Sequence, residues 1–316
     1  MVTSPSSAPR ACIDVVIPAY NAEPYLRQAL DSVLIQGPIV GQLIVVNDGS
    51  SDGTAQCVLD FQIAHPELSL QLINQSNCGL AAARNAGITR AQAPFIALLD
   101  ADDVWLPEKL QLQWDCFSRS SDIHLGLVYG GYELISSTGQ NLTTERGVVK
   151  PSLRGSAHAQ LLSGNFISGS GSNVLIKKLV FERVGLFDET LQASEDWDMW
   201  LRISKEFHVD FVDAPLVEIR VHAHNMQKDY RRMLEADFMV LNKLDRANES
   251  SVFLLWKIRT QLLESKIDPR SLAAFALCSS HLQAKFIGLQ LVLWRYLSIA
   301  PIALWKGLFR LKQLLK

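Results

Sequence analysis

Phe95-Ile96-Ala97-Leu98-Leu99-Asp100-Ala101-Asp102-Asp103 decides how this chain is read. Its five apolar residues, bounded by Pro94, have the length and composition of a short buried strand. The strand runs into three carboxylates within four residues, which places negative charge at the carboxyl edge of a sheet. Ligands of open α/β sheets bind at that edge. Clustered carboxylates repel one another unless something positive stands between them. A hard divalent cation carrying a phosphate is a natural partner, because such ions take oxygen ligands. A second reading stays open at this point: the acids would cap a helix beginning near Leu106 and complement its dipole.

Working outward, apolar strands alternate with helical periodicity. Ile13 to Ile17, Leu43 to Val46 and Leu70 to Ile73 read as strands. Between them, Leu26, Ala29, Leu30, Val33 and Leu34 mark a helix with Asn21 as its candidate cap, and Val58, Leu59 and Ile63 mark a second. Leu80 to Ile88 is an Ala-rich helix leading to the acidic strand. This βαβαβαβ order predicts an α/β fold with a mainly parallel central sheet, flanked by helices and joined by right-handed crossovers. Downstream the pattern is less regular. Leu125 to Ile135 and Asn173 to Ile176 read as strands, Lys177 to Val184 as a helix, and a second helix starts near Glu195. Val209 to Val212 and Leu216 to Val221 are expected to add edge strands.

Residues 11–228 are therefore expected to form one domain, preceded by a polar, disordered tail over residues 1–10 that lacks the apolar core of a signal peptide. Residues 229–316 read as a helical extension. Its last stretch, Phe286 to Lys316, is apolar and Trp-bearing, with Arg295, Lys306, Arg310, Lys312 and Lys316 interspersed. No charge-free window of about 18 residues occurs there, so a transmembrane helix is not expected. Two readings stand: a helix lying in a membrane interface, or a helical pair packed on the catalytic domain or a second subunit.

Composition narrows the function class. A formal net charge of −2 gives no global drive toward nucleic acid. With 48% hydrophobic residues in 316, a sizeable core is available. The five cysteines are scattered, with no Cys-x-x-Cys pair, which fits a reducing compartment and a cytoplasmic location. Three loops should converge at the sheet edge: Ile17 to Asn21, Asn47 to Ser50, and Asp100 to Asp103. They offer an aromatic ring, amides, carboxylates and a flexible turn, which suits a base, a ribose and a diphosphate. The Gly-rich phosphate loops are absent at the first strand, so phosphates would be held by metal and side chains.

From Asp14 to Gln227 the chain resembles glycosyltransferase family 2, whose fold is GT-A. The resemblance rests on an ordered series of segments: VVIPAYNAEPYLRQALDSVLIQ (15–36), LIVVNDGSSDGT (43–54), NCGLAAARNAGI (77–88), FIALLDADDVWLPEKL (95–110), GSNVLIKK (171–178), VGLFDETLQASEDWDMWLRIS (184–204) and RVHAHNMQ (220–227). It implies that Pro18, Ala19, Tyr20 and Glu23 surround the base and ribose, and that Asp48 hydrogen-bonds the base, commonly uracil. The alternative for Asp48 is an Asx-turn acid shaping its own loop. Gly79, Arg84 and Asn85 match the helix after the third strand, with Arg84 directed to the nucleotide or to an acid such as Asp100. Asp100-Ala101-Asp102 matches the family's Asp-x-Asp element. Asp100 would face the ribose or a metal-bound water, and Asp102 would ligate Mg²⁺ or Mn²⁺ on the diphosphate. Asp103 would be a third acid or a cap of the following turn.

In the same family the Asp of a Glu-Asp pair is the catalytic base, which assigns Asp196. Glu195 and Trp197 would lie on the acceptor side, Trp197 stacking on a sugar and Trp200 in the core. His222, in the match to Arg-x-His-x-x-Asn, would complete the metal site or contact the diphosphate. His224 lies outside that match, and Gln227 stands where a hydroxyl residue is common. Ser168 to Asn173, rich in Gly and Ser, would border the acceptor or be an ordinary loop. The implied activity is an inverting, metal-assisted single displacement. It moves a sugar from a nucleotide-sugar donor, UDP-sugar first and GDP- or dTDP-sugar next, to a hydroxyl on a polysaccharide, lipid-linked sugar or glycan. A sugar-phosphate nucleotidyltransferase would want a Gly-rich basic loop where Pro18-Ala19-Tyr20-Asn21 stands. A non-catalytic nucleotide-sugar-binding protein would not need acids at both Asp102 and Asp196.

Overall fold

In the computed structural model, β1 (Ile13–Ala19) is buried along its whole length, as a continuous apolar run at the centre of an α/β sheet must be. The structure describes residues 12–143, 147–167, 169–223, 225–226 and 229–247. The expected tail, Ser168, His224, Gln227 and the Phe286 to Lys316 stretch lie outside the described residues. The chain divides into two units, Met1–Asp229 and Tyr230–Lys316.

The first unit is built on an eight-stranded sheet of order β3-β2-β1-β4-β7-β6-β8-β5. β2 (Val40–Asp48), β3 (Leu70–Gln75) and β4 (Phe95–Leu98) join β1 in parallel, linked by α1 (Glu23–Leu34), α2 (Thr54–Ala64) and α3 (Leu80–Arg90). β7 (Leu175–Lys177) pairs antiparallel with both β4 and β6 (Leu125–Ser136). β8 (His208–Val221) runs parallel to β6, and the two-residue β5 (Val104–Trp105) pairs antiparallel with β8. Six of the eight strands therefore point one way, and the carboxyl ends of β1, β2, β4, β6 and β8 share one edge. The expected mixed α/β, mainly parallel GT-A architecture is what forms.

Several local expectations are corrected. Val209 to Val212 and Leu216 to Val221 belong to a single strand, because β8 bulges opposite Gly130, Gly131 and Tyr132, passing over Asp213, Ala214 and Leu216 while Pro215 pairs with Gly131. Asn21 does not cap α1. It takes a left-handed φ of 48°, and Ala22 holds the cap position. The carboxylates after β4 do not cap a helix either, since α4 (Lys109–Arg119) starts after Glu108. Among the described residues the other α-helices of this unit are the one-turn α5 (His158–Leu161), α6 (Lys178–Val184) and α7 (Glu195–Glu206). In the second unit the described residues form α8 (Tyr230–Arg246), in which Leu234, Phe238, Leu241 and Leu244 recur at helical spacing and are buried. Among the described residues no helix is long and apolar enough to cross a membrane.

Candidate active site

The loops after β1 and β2 are stitched together at the sheet edge. Asn21 N–H donates to Ser50 Oγ (3.0 Å), Asn21 Oδ1 accepts Ser51 N–H (2.9 Å), and Ala22 N–H donates to Thr54 Oγ1 (2.8 Å). Glu23 closes the seam by accepting Gly53 N–H at 2.9 Å, while its own N–H donates to Asp52. Pro18 and Ala19 are buried beneath this seam and Tyr20 stands 54% exposed above it, a free aromatic face at the edge. The alternative reading of Asp48, an acid shaping its own loop, is not what forms; that loop is held by its neighbour, Asn47 Oδ1 accepting Ser50 N–H. Asp48 is buried and reaches across to the next crossover. It accepts Gln75 Nε2 (2.8 Å), Cys78 N–H (2.9 Å) and Gly79 N–H (2.8 Å). Gly49 permits this close approach, since it has φ 75° and a Cβ there would lie 2.7 Å from Asn77 N.

The three carboxylates after β4 have three different environments. Asp103 is buried and accepts Ser172 Oγ–H (2.6 Å) and the Arg220 backbone N–H (2.9 Å). Burial, then the neighbouring Asp102 and Asp100 charges, push its carboxyl well above the ordinary range. It is a structural acid joining the loop to β7 and β8. Asp102 is more open, with its side chain 28% exposed, and its Oδ2 lies 2.8 Å from His222 Nε2. His222 comes from the carboxyl end of β8, so strand direction alone brings it to Asp102. Its ring stacks on Tyr25, with centroids 5.0 Å apart. Arg220 fixes the same corner by donating to Asp102 O (2.7 Å), Ser136 O (3.1 Å) and Gln28 Oε1 (2.6 Å). Ala101 is buried between the outer acids.

Asp100 faces the other way. Its two oxygens accept Arg84 Nη2 and Ser170 Oγ–H, each at 2.7 Å, and its N–H donates to Ser172 Oγ. Arg84 is fully buried and donates a second bond, from Nη1 to Glu195 Oε1 at 2.7 Å. Burial pulls the guanidinium down, but the Asp100 and Glu195 charges outweigh it and hold Arg84 firmly cationic. Of the two alternatives for Arg84, the structure takes the acid-holding one.

Glu195 is buried in this pair, which corrects its expected place facing an acceptor. Trp197 is corrected likewise. It is 2% exposed with its indole N–H donated to Leu161 O, so neither ring face is open to a sugar. Trp200 is in the core, as expected. Within the Ser168 to Asn173 stretch, the described Gly171 to Asn173 turn is buried. Its small residues make room for Arg84, whose Nη2 would lie 3.0 Å from a Cβ on Gly171, and Asn173 is spent on both backbone groups of Gly130.

Asp196 directly follows the buried Glu195. It is half-buried in the first turn of α7, accepts its own neighbour Trp197 N–H (2.6 Å), and has Asn165 Nδ2 at 3.5 Å from Oδ2. Tyr25 and Asn165 are site residues that sequence reasoning missed. Tyr25 is part-buried beside the apolar stripe of α1 and nothing in its helical spacing marks it, and Asn165 lies in a loop with no periodicity to mark it.

Asp102 and His222 offer one carboxylate oxygen and one imidazole nitrogen on the accessible side of the corner. That pair fits Mg²⁺ or Mn²⁺ of the kind that keeps water and substrate oxygens as its other ligands. Among the described residues, no cluster of three or more His, Cys, Asp or Glu forms a closed protein cage.

Comparison with known proteins places this edge in context. Residues 14–185 match the model of the family described as glycosyl transferase family 2. An uncharacterized glycosyltransferase of Rickettsia prowazekii is 31% identical over 214 residues, 67% of this chain and 64% of the relative. This chain thus spans somewhat less than two-thirds of that protein's length. The Escherichia coli UDP-Glc:alpha-D-GlcNAc-diphosphoundecaprenol beta-1,3-glucosyltransferase WfgD is 28% identical over 205 residues, 65% of this chain and 74% of WfgD. Among solved structures, the mannosyltransferase PcManGT of Pyrobaculum calidifontis, in complex with GDP-Man and Mn²⁺, superposes with a TM-score of 0.61 at 18% identity, covering 91% of this chain and 81% of that one. S. aureus TarS 1-349 in complex with UDP gives 0.55 at 18% identity, over 86% and 73%. The architecture, the sheet-edge site and these matches agree: the chain belongs to glycosyltransferase family 2.

Proposed function

We propose that this protein is an inverting glycosyltransferase that transfers a sugar from a UDP-sugar to a hydroxyl of a glycan or lipid-linked glycan in envelope polysaccharide synthesis. The observation that carries the reading is the division of acids at one sheet edge. Asp102, beside His222, is part-exposed on one side and Asp196 is half-buried at the start of α7, while Asp103 and Glu195 are buried and the part-buried Asp100 is held by Arg84 and Ser170. A donor and an acceptor need such separate stations. The WfgD name supplies a chemical precedent for both, a UDP-sugar and a diphospholipid-linked sugar.

In this mechanism the seam of Tyr20, Asn21 and Ser50 receives the nucleoside, with Asp48 holding the loop edge against it. Asp102 and His222 would hold Mg²⁺ or Mn²⁺, which supplies charge neutralisation for the diphosphate. Asp196 accepts the proton of the acceptor hydroxyl as its oxygen attacks C1 of the donor sugar. The C1–O bond to the diphosphate breaks on the opposite face, so an α-linked donor yields a β-linkage and free nucleoside diphosphate. Positioning supplies much of the rate. The test is release of nucleoside diphosphate from a panel of donors with Mn²⁺ and an α-GlcNAc-diphosphate carried on a short synthetic lipid. UDP release that requires both metal and acceptor supports the reading, and no release from any donor overturns it. A lipid-linked acceptor would place the reaction at a membrane surface. The apolar, basic stretch Phe286 to Lys316 is the segment we propose to meet it, and vesicle binding that survives its removal would contradict that.

A further inference from the structure

We propose that Arg84 is a positioning residue that ties the two halves of the site together, fixing the Glu195-Asp196 turn relative to the donor-side loop at Asp100. The inference rests on the reading of Asp196 as the base and goes beyond it. One guanidinium makes two contacts of 2.7 Å to carboxylates 95 residues apart in sequence, Asp100 and Glu195, and a third of 3.2 Å to Ser170 Oγ. Ser170 donates in turn to Asp100 at 2.7 Å, so the donor loop, α3, α7 and the loop before β7 meet at one buried cation. Arg84 leans on Phe187, whose ring centroid lies 5.3 Å from its Cζ. Only a planar fork can reach two carboxylates this way; a lysine ammonium is a point charge on a flexible stem.

The clasp also sets the field at Asp196. Arg84 interacts electrostatically with Asp196 as well as with Asp100 and Glu195, so one buried cation is shared by the three carboxylates. Asn165, from the loop before β7, is neutral, and Asp198 is paired with Arg202. Removing Arg84 exposes Asp196 to two uncompensated anions, which makes it easier to protonate. Removing the Glu195 charge does the reverse. A residue that only stabilised the fold would move the kcat–pH profile in neither direction.

The experiment is the kcat–pH profile of the full chain with Mn²⁺, donor and the synthetic lipid acceptor, for wild type, Arg84→Gln, Arg84→Lys, Glu195→Gln and Asp196→Asn. The acid limb should move up by about one pH unit in Arg84→Gln and down in Glu195→Gln. It should stay near the wild-type position in Arg84→Lys, which keeps the charge but loses the fork and about tenfold in kcat. Where Arg84→Gln fails to fold, the downward shift in the isosteric Glu195→Gln decides. Limbs that stay put, or move in the same direction, overturn the inference while leaving the base assignment intact. Turnover retained in Asp196→Asn overturns that assignment and the inference with it.

Discussion

Gly87→Ala tests why the helix that carries Arg84 lies where it does. In an open helix this change would stabilise by about 1 kcal/mol, since glycine is the poorer helix former. Here an added Cβ would lie 2.2 Å from Val16 Cγ1, 3.1 Å from Cγ2 and 3.2 Å from Cβ. Carbon atoms in contact rest at about 3.5–4.0 Å, so the nearest pair must separate by more than 1 Å. Val16 cannot turn away: it is fully buried on β1, in register with Ile44 on one side and Leu98 on the other. Helix α3 must lift instead. Overpacking of this kind costs typically 1–3 kcal/mol and occasionally more. At the upper end of that range, and after the helix-propensity gain, the net loss is about 2 kcal/mol, or about 4–8 °C in midpoint for a unit of this size. The assay is thermal and urea unfolding of Gly87→Ala, Val16→Ala and the double variant. Val16→Ala makes room for the new methyl, so the double variant should be more stable than additivity allows by at least about 1 kcal/mol. A Gly87→Ala protein as stable as wild type, or a strictly additive double variant, would refute the close approach of α3 to β1.

Other outcomes follow from the same geometry. Asp14, buried on β1, accepts the N–H groups of Gln42 (2.8 Å), Gln92 (2.6 Å) and Ala93 (2.8 Å). Asp14→Ala should therefore cost about 3–5 kcal/mol in urea unfolding, and a loss below about 1 kcal/mol would contradict the clip. The Asp103 carboxyl is raised in the folded state, so the stability it contributes is full below its unfolded value of 3.8 and is lost as pH rises through the folded value. Asp103→Asn should flatten the decline of the unfolding midpoint with rising pH above about 4, and an unchanged slope would count against it. His222→Ala should weaken Mn²⁺ binding, measured by calorimetry with UDP present, by about tenfold or more; an affinity within about twofold of wild type would remove His222 from the metal corner.

Much of this was legible in the residues. The alternation of apolar runs with turn-rich loops from Ile13 to Leu99 marks β1 to β4 because β1, β2 and β4 are almost wholly buried and β3, at the sheet edge, still starts on the buried Leu70. The placement of β7 was not legible. Leu175-Ile176-Lys177 is a three-residue run whose pairing between β4 and β6 depends on non-local contacts. The Asp213-Ala214-Pro215 stretch reads as a break, yet bulges within β8 let its pairing with β6 continue. At the site, Asp102 and His222 were paired through their motifs, and strand direction explains why. Burial misled the reading of Glu195 and Trp197. A carboxylate or an indole beside a catalytic acid looks the same in sequence whether it faces substrate or, as here, Arg84 and Leu161 O.

Asp196→Asn bears most directly on the proposed mechanism. The measurement is the rate of metal-dependent sugar transfer, alongside UDP-sugar affinity in the presence of Mn²⁺. An amide in place of the base keeps the shape of the α7 turn and leaves Asp102 and His222 untouched. Donor affinity should stay within about twofold, while transfer falls by about two to four orders of magnitude, the usual worth of a general base. Near-normal transfer by Asp196→Asn would contradict the assignment of the base.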